Sequence, residues 1–294
     1  MAQGVQDTRV KRGINGILGF LGLWVFLTAV LARPVAQLVD GMAPGMFSFP
    51  RIFGRVQLGV ALALVPLLLW YWRDHPKRFY DFSHWKSGLT RSLLWFVMGM
   101  GMVGVVAGFQ VWLGVRKWVG WPGLDLWAVA LATGFLVGVL EEFFFRGVLG
   151  MAWWKSMGRC PVPVLLAVNA ILFASVHFIR PLAGPEQGWW DGFAAWSRLE
   201  LWSGTVDPWR LAGLILAGLV LARIVWEQGN LWVAIGLHAG WVAGVRWAEA
   251  SFSEVSHATA GWWGPSLESG PLPFLVLLLF AFSVMGKPIR AHLD

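Results

Sequence analysis

Long apolar runs constrain the fold of this chain more than any other feature of its sequence. Eight of them recur along the 294 residues, each about long enough to cross roughly 30 Å of hydrocarbon as a helix. Only 13% of the residues are charged, about half the fraction in an average soluble domain. The chain is therefore predicted to be all-α: a polytopic integral membrane protein with about eight transmembrane helices in one bundle. The runs cover residues 13–32, 54–72, 92–113, 126–149, 162–179, 211–226, 231–248 and 271–286.

The surplus of basic residues predicts membrane topology rather than nucleic-acid binding. The net charge is +7, from 23 Lys and Arg against 16 Asp and Glu, and Lys and Arg are enriched on the cytoplasmic side of membrane proteins. With the N-terminus placed in the cytoplasm, 14 of the 23 basic residues fall in inside segments and 9 in outside segments. Both termini are therefore predicted to be cytoplasmic, with the lipid bilayer as a partner. The sequence does not indicate an oligomeric state.

The first apolar run has some features of a signal peptide, because basic residues precede it and residues 30–32, Val-Leu-Ala, have the form of a cleavage site. Its apolar core is longer than the roughly 7 to 15 residues of such a signal, which predicts a retained helix. The single cysteine, Cys160, excludes an intramolecular disulfide framework and a CxxC metal site. No internal repeat of about 20 to 50 residues is present. A single transmembrane domain over residues 1–294 is predicted.

The longest predicted outside loop, residues 180–210, has two interpretations. Positions 193, 196, 199 and 202 are apolar and share one helical side, which favours an interfacial helix lying on the membrane over residues 189–202. The alternative is an ordinary packed loop with several Trp anchors. A second outside loop is predicted at residues 261–265, where Gly and Pro flank two Trp.

Three charged residues lie within six positions near the end of the fourth run: Glu141, Glu142 and Arg146. A charge near the middle of a bilayer costs at least roughly 2.5 to 3.5 kcal/mol, so each needs a pairing or functional reason. Arg146 and Glu142 share a helical stripe with Gly134 and Gly138, which predicts an ion pair beside small residues that admit a neighbouring helix. Glu141 points about 100° away. The alternative is that the triplet marks the cytoplasmic end of the helix.

Two histidines lie in later apolar runs. His177, near the end of the fifth run, shares a helical face with Asn169 and Phe173. His238 lies near the middle of the seventh run, where a histidine should meet Glu, another His or water in the bundle interior. The remaining histidines are in predicted loops or the tail, where exposed roles are expected: His75, His84, His257 and His292.

Three apolar runs thus contribute side chains suited to hydrolysis. Carboxylates and imidazoles can bind and deprotonate a water, and an imidazole can stabilise a developing oxyanion. Glu141, Glu142, Arg146, His177 and His238 are therefore predicted to form a catalytic site. It would surround an intramembrane polar cavity between the fourth, fifth and seventh helices.

In order and spacing these residues resemble the CPBP family, the CAAX-protease and bacteriocin-processing-related intramembrane proteases, also called the ABI family. The family's signatures are EExxxR, FxxxH and HxxxN. They correspond here to Glu141-Glu142-x-x-x-Arg146, to Phe173-x-x-x-His177, and to His238 within residues 230–241. The resemblance covers about 110 residues in a core at about 126–248, and an eight-helix count also suits the family.

The resemblance implies a membrane-embedded endopeptidase that hydrolyses a peptide bond of a membrane-associated substrate. Glu141 is implied as the general base, working with His177 to orient and deprotonate a water. His238 is implied to bind the oxyanion, while Arg146 holds Glu142. The substrates of the family include prenylated C-termini, bacteriocin leaders and sorting-signal tails, and nothing in the sequence selects among them. The bacterial inner membrane is the expected location.

Zinc is the alternative to metal-independent glutamate chemistry, because Glu and two His can in principle ligate it. The chain has no HExxH helix, so a glutamic mechanism without a cofactor is preferred. A GxGD aspartyl motif is also missing from the sequence. Cys160 lies beside Pro161 in a predicted loop without a neighbouring histidine.

One position departs from the family pattern. The third signature usually ends in Asn or Asp, which is implied to complete the oxyanion hole, but Val242 stands there. Asn169 is a candidate for a substitute amide. The alternative function is a non-proteolytic CPBP-like scaffold or immunity-type binding protein. A proton-coupled transporter would normally have internal repeats.

The directions of two helices set a geometric condition on the site. In the predicted topology the fourth helix runs toward the cytoplasm and the fifth runs outward. His177 can then approach Glu141 only if the fifth helix starts deeper in the membrane or extends beyond residue 179.

Overall fold

The structure, a computed structural model, describes residues 2–71, 85–150, 160–182, 188–255 and 266–286, with side chains described from residue 15 onward. These ranges hold nine α-helices and two short strands. The helices are α1 (Ala2–Met42), α2 (Phe49–Tyr71), α3 (Trp85–Trp112), α4 (Leu124–Glu142), α5 (Val162–Val176), α6 (Asp191–Ser197), α7 (Pro208–Gln228), α8 (Trp232–Ser251) and α9 (Pro271–Met285). The strands are β1 (Arg116–Trp118) and β2 (Phe252–Glu254).

Every predicted apolar run forms a helix, which confirms the all-α prediction apart from the small β1–β2 pair. The fifth helix ends at Val176, so the extension beyond residue 179 is not found. Loop residues 261–265 and the histidines at 75, 84, 257 and 292 lie outside the described residues.

Five helical segments are long and apolar enough to cross a membrane: Asn15–Met42, Phe49–Trp70, Trp85–Trp112, Leu124–Leu149 and Pro208–Gln228. Helices α5 and α9 are apolar but shorter. Large apolar side chains stand exposed on the outer faces of α3 and α4, among them Leu94, Val97, Phe135 and Leu136. Exposed apolar faces of this extent fit contact with lipid rather than water. The protein is therefore a multi-pass membrane protein.

The described residues form two compact units, and the first contains α1, α2 and α6. Arg33 on α1 forms an ion pair with the buried Asp191 at the start of α6, at 3.0 Å. Gly192 allows α6 to approach α1 closely, because a Cβ there would lie 1.8 Å from the carbonyl oxygen of Ala29. Helix α6 ends at Ser197, and a 3-10 turn follows at Glu200–Trp202. The 189–202 region therefore contains a helix shorter than the predicted one, and its position on the membrane surface remains a prediction.

The second unit is arranged around α8, against which α3 and α4 pack. Glycines allow both contacts: a Cβ at Gly236 would lie 2.0 Å from the carbonyl oxygen of Ser92, and one at Gly134 would lie 2.6 Å from that of Ala239. Gly138 also faces Ala239. The prediction that Gly134 and Gly138 admit a neighbouring helix is thus confirmed. Thirteen of the 20 residues of α8 are buried.

Helix α8 is followed directly by β2, which pairs antiparallel with β1. Arg116 lies opposite Glu254 in this pair, and their charged groups are 3.8 Å apart. The chain segments that follow α3 and α8 are thereby joined, which holds these two helices together at one end. Helices α7 and α9 also pack against each other.

Candidate active site

The end of α4 carries the charged triplet, and the helix changes its hydrogen-bonding pattern there. Glu142 is the last α-helical residue, and Phe143–Leu149 form a π turn. The backbone N–H of Gly150 donates to the carbonyl oxygen of Phe145, an i to i+5 bond. Such turns contain one more residue than an α-helical turn and are frequent at functional sites. The π turn therefore sets the direction in which Arg146 leaves the helix.

Glu142 is the centre of a buried network. Its side chain is 0% exposed, and its Oε1 accepts a hydrogen bond from Arg146 Nη1 at 2.8 Å. The same oxygen lies 2.8 Å from His238 Nδ1 on α8. The predicted pairing of Glu142 with Arg146 is present, and His238 meets a Glu in the bundle interior, which was one of the partners expected for it. A carboxylate that accepts from a guanidinium and an imidazole fixes the orientation of both.

Arg146 has further contacts on the other elements of the unit. Its Nη2 donates to the carbonyl oxygen of Gly218 on α7 at 3.2 Å. The guanidinium carbon lies 4.3 Å from the centre of the Phe173 ring on α5, within the range of a cation–π interaction. The side chain is only 2% exposed. A backbone carbonyl such as that of Gly218 leaves no residue-type signal, so sequence reasoning could not find this contact.

The second ring nitrogen of His238 faces the other carboxylate. His238 Nε2 lies 3.9 Å from Glu141 Oε2, which is too long for a direct hydrogen bond. Glu141 is more exposed than Glu142, at 27% against 0% for the side chain. Phe173 packs edge-on against the imidazole with ring centres 5.7 Å apart. The adjacent carboxylates thus differ in environment: Glu142 is enclosed in the network, and Glu141 stands at its more open side.

Asn169, the candidate substitute amide, lies on α5 one turn before Phe173. Its Nδ2 donates to the carbonyl oxygen of Phe145 in the π turn at 2.8 Å. One N–H of the amide is therefore used by the backbone of the site. Val242, four residues after His238, is partly buried on α8 and offers no polar atom at the place of the family amide.

His177 follows α5 directly as its C-terminal cap, and its backbone N–H donates to the carbonyl oxygen of Ala174. It belongs to the first compact unit. The next residue, Phe178, is fully buried and accepts a backbone hydrogen bond from Leu201. Arg180 forms an ion pair with Glu200 at 2.8 Å and accepts a backbone hydrogen bond from it at 2.9 Å, so three bonds hold the segment after His177 against residues 200–201. The participation of His177 in the site remains a prediction.

A cavity of about 210 Å³ lies elsewhere in the second unit, between α3, α7 and α9. Its lining includes Trp95, Glu227 and Phe280 but none of the predicted site residues. The polar cavity expected beside the site residues remains a prediction. Within the described ranges, no group of three or more His, Cys, Asp or Glu is placed to hold a metal ion.

Fold and site together define a class of protein: a multi-pass membrane protein with a buried Glu–Arg–His network among its helices. Residues 123–244 match the family described as "Rce1-like: Type II CAAX prenyl endopeptidase Rce1-like". This part of the chain is a CPBP-family domain of the Rce1-like type, which confirms the resemblance seen in the sequence. The matched range contains all five predicted site residues. Searches among curated proteins and among solved structures found no match for the chain.

Proposed function

We propose that this protein is an intramembrane endopeptidase in which Glu141 activates the water that attacks a peptide bond. The observation that carries the proposal is the geometry of His238. Its Nδ1 contacts Glu142 at 2.8 Å, while its Nε2 faces Glu141 at 3.9 Å. The Rce1-like domain supports the protease class, since its family is described by an endopeptidase activity.

The two carboxylates take different roles in this proposal. Glu142 accepts from both Arg146 and His238, so it orients the imidazole, as a buried carboxylate does in a catalytic triad. Glu141 is the general base: it takes a proton from the water, whose oxygen then bonds to the peptide carbonyl carbon. The proton passes from Glu141 to the leaving amine nitrogen as the C–N bond breaks. His177 assists by orienting the water.

The distance between Glu141 and His238 suits the tetrahedral intermediate. The attacking oxygen and the oxyanion are bonded to the same carbon, so the base for one and the donor for the other must be close together. Glu141 Oε2 and His238 Nε2 are 3.9 Å apart. With both ring nitrogens protonated, His238 donates from Nδ1 to Glu142 and from Nε2 to the oxyanion. Preorganised donors of this kind are commonly the largest single contribution to catalysis.

Val242 favours a second candidate function, a CPBP-like membrane scaffold or immunity-type binding protein without peptidase activity. An apolar side chain at this position removes one expected oxyanion donor. Loss of one such donor typically lowers kcat by about 100- to 1000-fold and does not abolish catalysis. We therefore place the peptidase first and expect a slow enzyme.

Location and substrate follow from the same proposal. We place the protein in a bacterial inner membrane with eight spans and both termini in the cytoplasm, because basic residues are concentrated in the segments assigned to that side. A membrane-associated peptide or protein is the substrate. Prenylated C-termini, leader-bearing precursors and sorting-signal tails are the classes to test, without a cofactor and with zinc as the disfavoured alternative.

The test is cleavage of a panel of these three substrate classes in liposomes. We expect Glu141→Gln to lower kcat by about 100- to 10,000-fold, the range for a lost general base. His238→Gln should lower kcat by at least about 100-fold. The matched control is Glu249→Gln, since Glu249 is an exposed carboxylate on the same helix as His238. Unchanged cleavage in both site variants would refute the peptidase.

Two further arms separate the alternatives. If the missing amide limits the rate, Val242→Asn should raise kcat. In a non-proteolytic scaffold the same substitution should leave cleavage absent. Inhibition by a chelator that is reversed by zinc would support the metal-dependent form instead.

A further inference from the structure

Asn169 is a buried amide whose hydrogen bond runs to the backbone of the π turn. Its side chain is 4% exposed, and its Nδ2 lies 2.8 Å from the carbonyl oxygen of Phe145. That carbonyl also accepts the backbone N–H of Gly150. A Cβ at Gly150 would lie 3.2 Å from this oxygen and 3.7 Å from Asn169 Nδ2. The amide, the carbonyl and the glycine therefore pack closely together.

Helix α5 contacts the Phe145–Arg146 pair at two points. Asn169 fixes the carbonyl group of Phe145, and hence the peptide unit that joins it to Arg146. Phe173 lies four residues later on the same face of α5 and stacks against the guanidinium at 4.3 Å. An arginine side chain is long and can adopt many rotamers. Fixing its backbone and its guanidinium from one helix restricts Arg146 to the direction of Glu142.

The direction of the Arg146 side chain also depends on the π turn. If the turn relaxed to α-helical geometry, the register after Phe143 would shift by one residue. In an α-helix one residue corresponds to about 100° of rotation and 1.5 Å of rise. Such a shift would move Arg146 away from its partners on the neighbouring helices, the carbonyl oxygen of Gly218 at 3.2 Å and the Phe173 ring at 4.3 Å. The i, i+4 spacing would still keep Glu142 within reach, but the guanidinium would no longer be held on Glu142 Oε1 from these two sides, and Glu142 would be held less firmly against His238.

We infer that Asn169 is a positioning residue of the proposed peptidase. By binding the carbonyl oxygen of Phe145 it stabilises the π turn and keeps Arg146 on Glu142. Glu142 in turn holds His238 with Nε2 facing Glu141. The inference rests on the proposed function and adds a residue that acts through Arg146 and not on the substrate.

The chain provides a matched control for Asn169. Gln110 is also a fully buried amide that donates to a backbone carbonyl, that of Ser266, at 3.0 Å. Its partner lies beyond α8, away from the Glu142 network. Asn169→Leu and Gln110→Leu each remove a buried hydrogen bond from an amide to a backbone carbonyl. Each replaces the amide by an apolar side chain of similar size. Loss of folding stability alone should therefore be similar in the two variants.

Kinetics of the two variants test the positioning role. We expect Asn169→Leu to lower kcat by about 10- to 100-fold with KM changed less than about threefold, since misplacing a catalytic group by about 1 Å costs on this order. Gln110→Leu should keep kcat within about twofold. Equal kcat values for the two folded variants would overturn the inference.

A double-variant cycle tests whether Asn169 acts through Arg146. Phe173→Leu removes the stacking contact of Arg146 together with the edge-on contact of the His238 ring. Because both residues hold the same side chain, adding Asn169→Leu to Phe173→Leu should cost far less in kcat than Asn169→Leu alone. Gln110→Leu should combine additively with Phe173→Leu. Additive losses for the Asn169 pair would contradict the mechanism.

A second variant covers a failure of Asn169→Leu to fold. Gly150→Ala places a methyl group 3.2 Å from the carbonyl oxygen of Phe145, and Gly286→Ala places one 3.0 Å from that of Phe282 at the remote end of α9. Only Gly150→Ala should lower kcat by about tenfold or more. An unchanged kcat in folded Gly150→Ala would overturn the inference.

A spectroscopic measurement separates this inference from the proposed function. The imidazole Nδ1–H signal of His238, assigned by its loss in His238→Gln, should shift or broaden in Asn169→Leu and stay unchanged in Gln110→Leu. If the wild type cleaves none of the substrates, the proposed function fails, and this signal alone decides the positioning role. An unchanged signal in Asn169→Leu would then overturn it.

Discussion

Removing Arg146 should destabilise the fold strongly, because it would leave Glu142 as an uncompensated charge in the protein interior. The two side chains are 2% and 0% exposed, and Nη1 lies 2.8 Å from Oε1. With charge centres roughly 4 Å apart and an effective dielectric constant of about 20, their attraction is about 4 kcal/mol. Breaking a buried pair from one side generally costs about 3 to 5 kcal/mol. We therefore expect Arg146→Met to lower the free energy of unfolding by that amount.

The double variant Glu142→Gln with Arg146→Met provides the more specific test. A glutamine at 142 carries no charge, and its oxygen can still accept from His238. The double variant should therefore lose only about 1 to 2 kcal/mol and be more stable than Arg146→Met alone. Removing a second native group would then restore stability.

The assay is denaturant titration in mixed micelles, followed by Trp fluorescence and far-UV circular dichroism. Arg246→Met is the control, since Arg246 and Glu249 form an exposed pair on α8 and such pairs contribute about 1 kcal/mol or less. A cost below about 1 kcal/mol for Arg146→Met would refute the reasoning, because buried pairs broken on one side cost more. So would a double variant whose cost equals the sum of the single costs.

Two further predictions concern the supporting fold. Gly236→Ala should lower the midpoint of thermal unfolding in detergent, because its Cβ would lie 2.0 Å from Ser92 O; Gly101→Ala, with nothing within 4 Å, should leave the midpoint unchanged or raise it. Asp207 caps α7, and although burial raises the pKa of its carboxyl, hydrogen bonds from Ser269 and two backbone N–H groups outweigh burial and hold that pKa below its ordinary value. A lowered pKa stabilises the fold above the unfolded value of about 3.9. The stability advantage of the wild type over Asp207→Asn should therefore be full at neutral pH and disappear as the pH falls below about 4, and an advantage independent of pH would contradict this.

The sequence predicted the helices well because apolar runs of this length have few alternatives in a membrane. It predicted the Glu142–Arg146 pair for a similar reason, since i, i+4 spacing brings side chains together in any regular helix. The contact survives although a π turn begins at Phe143. The π turn itself left no recognisable pattern, and the side chain that binds its backbone, Asn169, lies 24 positions away along the chain.

Contacts between distant segments were the part that the sequence did not predict. Glu142 and His238 are separated by 96 positions, and no spacing rule connects them. A Glu was among the partners expected for His238 in the bundle interior, and the family resemblance placed both residues in one site, but neither identified Glu142 as the carboxylate that contacts the imidazole. The β1–β2 pair was also missed, because strands of three residues are too short to show an alternating pattern. Helix α6 is shorter than predicted because the chain leaves helical geometry at Arg198, where φ is −108° and ψ is 21°.

The enclosure of α8 has a consequence for how the protein is made. This helix carries His238 but is not among the five described segments apolar enough to cross a membrane by composition. On its own it is therefore expected to enter lipid less readily than those five segments. Gly236 and Gly240 instead meet the backbone of α3, which the ribosome has synthesised more than a hundred residues earlier. The order of synthesis thus supplies the receiving helix first, and α8 enters a membrane in which its packing partner is already present.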